Sequence, residues 1–180
     1  MPLLIDSKYT VDIDSMLEWH QAEWLVLHGN LDMVDPASRR RRLPDDAQLL
    51  IMDFDGVLTD NRVWVDEQGH EQVAANRSDS LGLGMVREQT GVEMVVLSRE
   101  TNPVVAARCR KLKLPVLQAV LDKASAFKAL MAEKGIDRAE VIYMGNDVND
   151  LPCFPLAGYT AAPADAHPQV LREADLVLKL

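Results

Sequence analysis

Asp53 and Asp55 stand one residue apart, directly after the apolar run Leu49-Leu50-Ile51-Met52 and just ahead of Gly56. Carboxylates this close repel each other unless they share a cation or a proton. Mg²⁺ is a hard ion that takes oxygen ligands, so it would relieve the repulsion and hold a phosphate oxygen nearby. Asp53 could then attack phosphorus to give an aspartyl-phosphate. Asp55 could protonate the leaving oxygen and afterwards activate water.

Three distant stretches offer the remaining parts. Ser98 follows Met94-Val95-Val96-Leu97 and can donate a hydrogen bond to a phosphoryl group. Lys123, next to Asp122 at a helix start, can neutralise that group and restrain Asp53. The hexapeptide GNDVND, residues 145–150, offers Asn146, Asp147 and Asp150 to complete a metal site with Asp53 and Asp55. Taken singly, each has an ordinary explanation. Serines often end strands, lysines usually sit on helix surfaces, and Asn146 or Asp150 can cap a helix.

The elements must bring these stretches together. Apolar runs at 49–54, 92–97, 115–117, 140–144 and 157–160 alternate with helical patterns at 79–90, 102–112, 122–134 and 147–154. That alternation predicts right-handed βαβ units around a parallel sheet, an α/β class. Ligands in such sheets bind at the carboxyl ends of the strands, which is where the four stretches fall. Helix punctuation agrees: Thr101 or Asn102 caps ahead of Pro103, Asp122 caps the next helix, and Gly91 and Gly135 are stops. Residues 62–74 break the alternation and predict a β-hairpin turning at Gly69. Trp64 in it is expected to pack, or to anchor an interface should the hairpin build a tetramer.

Residues 1–47 read separately, as a helix and a linker ahead of a domain over 48–180. Met16, Leu17, Trp19, Ala22, Trp24, Leu25 and Leu27 recur near helical spacing after Asp14 or Ser15, and Gly29 and Asn30 form a stop. The run Arg39 to Arg42 lies in a proline-bounded stretch and reads as a solvated linker.

A formal net charge of −9 over 180 residues argues against a nucleic-acid surface, which needs clustered Lys and Arg. Cys109 and Cys153 form no CxxC pattern, so neither a disulfide framework nor a structural zinc site is expected. No apolar run approaches a membrane span, and the first residues do not read as a signal peptide. The expectation is a cytoplasmic protein that binds neither membrane nor nucleic acid.

DFDGVLTD, the Ser98 strand end, Lys123 and GNDVND resemble, in order and spacing, the four motifs of the haloacid dehalogenase-type phosphatases. The resemblance implies a Rossmann-like sheet with flanking helices and a Mg²⁺-dependent aspartyl-phosphate mechanism. The short hairpin looks like the flap of the branch with no large cap domain. NRSDSLGLGMV and GYTAAPADAHPQVLREADLV resemble phosphatases of 8- or 9-carbon ulosonic acid phosphates, which implies a phosphorylated sugar-acid substrate and a homotetramer. DSKYTVDIDSMLEWHQAEWLVL is similar to the end of acylneuraminate cytidylyltransferases, and departures at Asn146 and Glu100 make a non-catalytic tetramerisation domain for such an enzyme the competing expectation. Three departures stand out. Asn146 replaces the acid of the family's GDD, Ser98-Arg99-Glu100 replaces its SGR or TGR, and Ser78-Asp79-Ser80 replaces its RDG. That last loop approaches substrate in the family, so Arg77 and Asp79 are the candidate substrate-binding residues there.

Overall fold

The computed structural model describes residues 13–27 and 41–179. The chain divides into two compact units, Met1–Arg39 and Arg40–Leu180. In the first, helix α1 (Met16–Leu27) begins where Ser15 Oγ accepts the Glu18 N–H at 3.3 Å. The predicted stop at Gly29 and Asn30, together with Arg39 and Arg40, lies outside the described residues.

The second unit is built on six parallel strands in the order β5-β4-β1-β6-β7-β8. They are β1 (Leu49–Met52), β4 (Glu93–Leu97), β5 (Val116–Leu117), β6 (Val141–Met144), β7 (Tyr159–Ala162) and β8 (Leu176–Val177). Helices α2 (Ser78–Thr90), α3 (Val104–Leu112), α4 (Lys123–Lys134) and α5 (Pro168–Glu173) connect them. A separate antiparallel hairpin, β2 (Val63–Val65) with β3 (Glu71–Val73), follows the β1 loop.

The strands alternate between two cores because successive side chains leave a strand on opposite faces. Leu49, Ile51, Val95, Leu97, Val141 and Tyr143 pack with Phe127 and Leu130 of α4. Met52, Val96 and Met94 pack on the other face with Val105, Cys109 and Leu112 of α3. Central β1 is buried from both sides, which explains its unbroken apolar run.

Gly91 and Gly135 end their helices in the left-handed region, and Asp122 accepts the Ser125 N–H at 3.0 Å. Three expectations need correction. The helix expected over 147–154 is a turn followed by a 3-10 helix at Leu151–Leu156, because Pro152 and Pro155 remove the donors an α-helix needs. The last predicted strand is displaced to Tyr159–Ala162, and β8 went unpredicted. Within one chain Trp64 is exposed along with the rest of β2, which leaves the interface alternative standing.

Arg41 is not a solvated linker residue. Its guanidinium and backbone N–H bind the buried carboxylate of Asp175, with Nη2 at 2.8 Å from Oδ2, and its Nη1 donates to the Ala157 carbonyl. Asp175 also accepts the backbone N–H and hydroxyl of Thr160 at 2.8 and 2.9 Å. Arg42 stays in solvent beside Asp45, 3.9 Å away.

Candidate active site

Parallel pairing sets the site. Met52 is opposite Val96 on one side and Met144 on the other, so the residues just beyond all three strands emerge together. They are Asp53, Ser98 and Asn146. The loop after β5 is tied back to β4, with Val120 N–H donating to Ser98 O at 3.0 Å and Ala119 N–H to Glu100 O at 3.1 Å. That loop delivers Lys123 as the first residue of α4.

A cavity of about 360 Å³ opens there, lined by Asp53, Asp55, Ser98, Arg99, Glu100, Lys123 and Asn149 among others. The four predicted catalytic residues, Asp53, Asp55, Ser98 and Lys123, therefore meet in one place. Lys123 Nζ lies 2.8 Å from Asp53 Oδ1 and 2.7 Å from Asp150 Oδ1, and all three side chains are buried. Asp53 Oδ1 also accepts the Phe54 N–H at 2.7 Å. Ser98 Oγ accepts the Glu100 N–H at 3.1 Å, which leaves its own hydrogen to donate into the cavity.

Burial, reinforced by the charge of Asp150, pushes the Asp53 carboxyl up to about 7 against the pull of Lys123. Burial also raises the Asp55 carboxyl, with Glu100 adding to the effect and Lys123 and Thr59 opposing it. Both acids thus carry a penalty for ionising that a cation would offset.

The metal set predicted from the sequence divides. Asn146 is buried, and its Oδ1 finds no hydrogen-bond partner. An orphaned amide oxygen at the strand end beside Asp53 is the donor a hard cation would take up. Asp150, also predicted as a ligand, is held through both carboxylate oxygens by protein groups. Oδ1 accepts Lys123 Nζ and the Tyr143 hydroxyl, each at 2.7 Å, while Oδ2 accepts the N–H groups of Asn146 and Asp147 at 2.9 and 3.2 Å. Asp147 is exposed and its Oδ1 accepts the Val148 N–H at 2.7 Å. No three His, Cys, Asp or Glu side chains converge as a ligand group among the described residues.

Neither predicted substrate residue of the α2 loop lines this cavity. Arg77 is exposed at the start of α2, and Asp79 pairs with Arg108 at 3.4 Å. Glu100, where the resembling motif has arginine, accepts the Thr101 and Asn102 N–H groups at 2.6 and 2.8 Å and so shapes the turn into α3.

Three residues escaped the sequence reading. Thr59 Oγ1 accepts the Gly56 N–H at 3.0 Å and so fixes the acidic loop. Asn149 lines the cavity with a buried, unpartnered Oδ1. Tyr143 was the one polar aromatic in the apolar strand VIYM, which was the only signal it gave.

Comparison with known proteins adds independent findings. The family described as haloacid dehalogenase-like hydrolase matches residues 99–180. The chain is 31% identical over 137 residues to the 3-deoxy-D-manno-octulosonate 8-phosphate phosphatase KdsC of Escherichia coli K12, covering 76% of this chain and 72% of that protein. It is 34% identical over 163 residues to the N-acylneuraminate cytidylyltransferase of Oncorhynchus mykiss, covering 88% of this chain but only 36% of the longer relative. A crystal structure of a HAD family hydrolase from Streptomyces avermitilis superposes with a TM-score of 0.73 at 46% identity, over 78% of this chain and 80% of that one. The 3-deoxy-D-manno-octulosonate 8-phosphate phosphatase of Moraxella catarrhalis, solved with magnesium, phosphate and KDO, gives 0.69 at 26% identity over 74% and 77%.

Proposed function

The chain belongs to the haloacid dehalogenase-like hydrolases, and on that premise we propose that it is a phosphomonoesterase acting on the phosphate ester of an 8- or 9-carbon ulosonic acid. The observation that carries the reading is Lys123, whose buried ammonium bridges Asp53 and Asp150 at the floor of the cavity.

Asp53 attacks phosphorus and the phosphorus–oxygen bond to the sugar breaks, leaving an aspartyl-phosphate. Asp55, whose raised carboxyl holds a proton more readily, protonates the departing oxygen and then takes a proton from the hydrolytic water. Ser98 donates its hydroxyl hydrogen to a phosphoryl oxygen, and Lys123 places positive charge beside the same group. A magnesium ion, held by Asp53, Asp55 and Asn146 Oδ1, would supply the charge that lets two carboxylates and a phosphate share this space.

The test is phosphate release from a panel of sugar-acid phosphates with Mg²⁺, read as kcat/KM. Turnover is expected for the wild type and none above background for Asp53→Asn. Equal release from both overturns the mechanism. Absence of turnover across the panel favours the competing reading, an assembly domain of the kind fused to a cytidylyltransferase. Val63, Trp64 and Val65 are exposed on both faces of β2, which supports assembly under either reading, and we propose that further copies of the chain cover them in a homotetramer. Trp64→Glu should then lower the mass measured by light scattering.

A further inference from the structure

Asp150 is fully buried, and the proposed reaction gives it no direct part. Yet Tyr143 sends its hydroxyl to the same Asp150 oxygen that holds Lys123, each at 2.7 Å. The tyrosine ring has little freedom. It stacks on Phe127 with centroids 5.7 Å apart and meets Phe154 edge-on at 6.1 Å. Asp150 is equally fixed, since the Asn146 and Asp147 N–H groups occupy its other oxygen. A Cβ on Gly145 would lie 2.5 Å from the Asp150 side chain, so the strand end itself closes around this carboxylate.

An ammonium has three hydrogens. Two of those on Lys123 go to Asp53 and Asp150, and one remains for a phosphoryl oxygen. How firmly Asp150 holds the ammonium depends on what else its oxygen accepts, because a carboxylate oxygen shared between two donors grips each less tightly. We infer that Tyr143 is a positioning residue. Its hydroxyl takes part of the charge of Asp150 Oδ1, so that Lys123 leans toward Asp53 and the phosphoryl group rather than back into the core. The kinetic half of this inference rests on the phosphatase reading, but the position of Lys123 can be read without turnover.

The experiment compares three side chains at position 143 in the full chain: tyrosine, phenylalanine (Tyr143→Phe) and 3-fluorotyrosine, a stronger donor of nearly the same shape. The first readout is the ¹⁵Nζ resonance of Lys123, assigned by its loss in Lys123→Met. It should move one way in Tyr143→Phe and the opposite way with 3-fluorotyrosine. The second is steady-state kinetics on any phosphate ester turned over. kcat should fall roughly ten- to a hundredfold in Tyr143→Phe, the size of losing one hydrogen bond to a charged group, with a smaller change in KM. Packing alone does not order the three side chains by donor strength. A resonance unmoved across the series overturns the inference, as does a moved resonance with unchanged kcat. Should Tyr143→Phe fail to fold, the fluorotyrosine chain carries both readouts. Should the wild type hydrolyse nothing, the phosphatase reading fails and the resonance alone decides this one.

Discussion

The Asn146 side chain lies so close to Gly56 that a Cβ at that glycine would sit 1.9 Å from Asn146 Nδ2. Gly56 also has φ +77°, where side chains are strained. One glycine therefore lets the acidic loop fold back onto the amide that faces it. Gly56→Ala should cost on the order of 1–3 kcal/mol in urea unfolding and remove activity together with it. Wild-type stability in that variant would show that the loop and the amide are not held against each other.

Asn146→Asp puts a third carboxylate beside Asp53 and Asp55. With metal removed by chelator, the added repulsion should lower the melting temperature. With Mg²⁺ present, the added charge should tighten the ion, lowering the concentration for half-maximal activation by on the order of tenfold. Melting curves with and without Mg²⁺ must move in opposite directions if Asn146 is a ligand.

Asp53 makes metal-free stability depend on pH. Burial and the Asp150 charge push its carboxyl up to about 7, against roughly 4 in an unfolded chain. Between those values the folded chain keeps a proton that the unfolded chain has released. The stability contribution is thus full below about 4 and is lost as pH rises through about 7. In chelator, Asp53→Asn should gain on the wild type in urea unfolding as pH rises from about 5 to about 8. Parallel profiles would show that Asp53 does not carry the effect.

Asp175 works in the opposite sense. Burial disfavours its charge, but hydrogen bonds from Arg41 and Thr160 outweigh burial and hold the carboxyl below the usual range. Its contribution is present above about 4 and lost as pH falls through the lower folded value. Asp175→Asn leaves Arg41 without its partner and should cost about 3 kcal/mol at neutral pH. The gap to wild type should close in acid. A gap that persists at low pH would assign the loss to packing instead.

The sheet and the meeting of Asp53, Asp55, Ser98 and Lys123 in one cavity were legible because strand–helix alternation and strand-end chemistry are local signals. Asp53 and Ser98 follow apolar runs, and Lys123 sits beside its cap Asp122. What stayed hidden depends on partners far away in sequence. Nothing near Asp150 announces that its oxygens are taken by Lys123 and Tyr143, and an acid at the end of a GNDVND motif reads as a ligand. Arg41 was misread for the same reason, because its partner Asp175 lies 134 residues on. Arg77 and Asp79 came from resemblance alone, and the local sequence had already changed there.

The central place of β1 sets the timetable of this molecule. It is synthesised first among the six strands of the sheet, yet its two neighbours β4 and β6 come later, β6 only from Val141. A chain still growing on the ribosome therefore carries Asp53 and Asp55 long before the strands that complete the cavity around them exist. Because such distant pairings form slowly, catalytic competence should arrive late and abruptly, when β6 closes against β1.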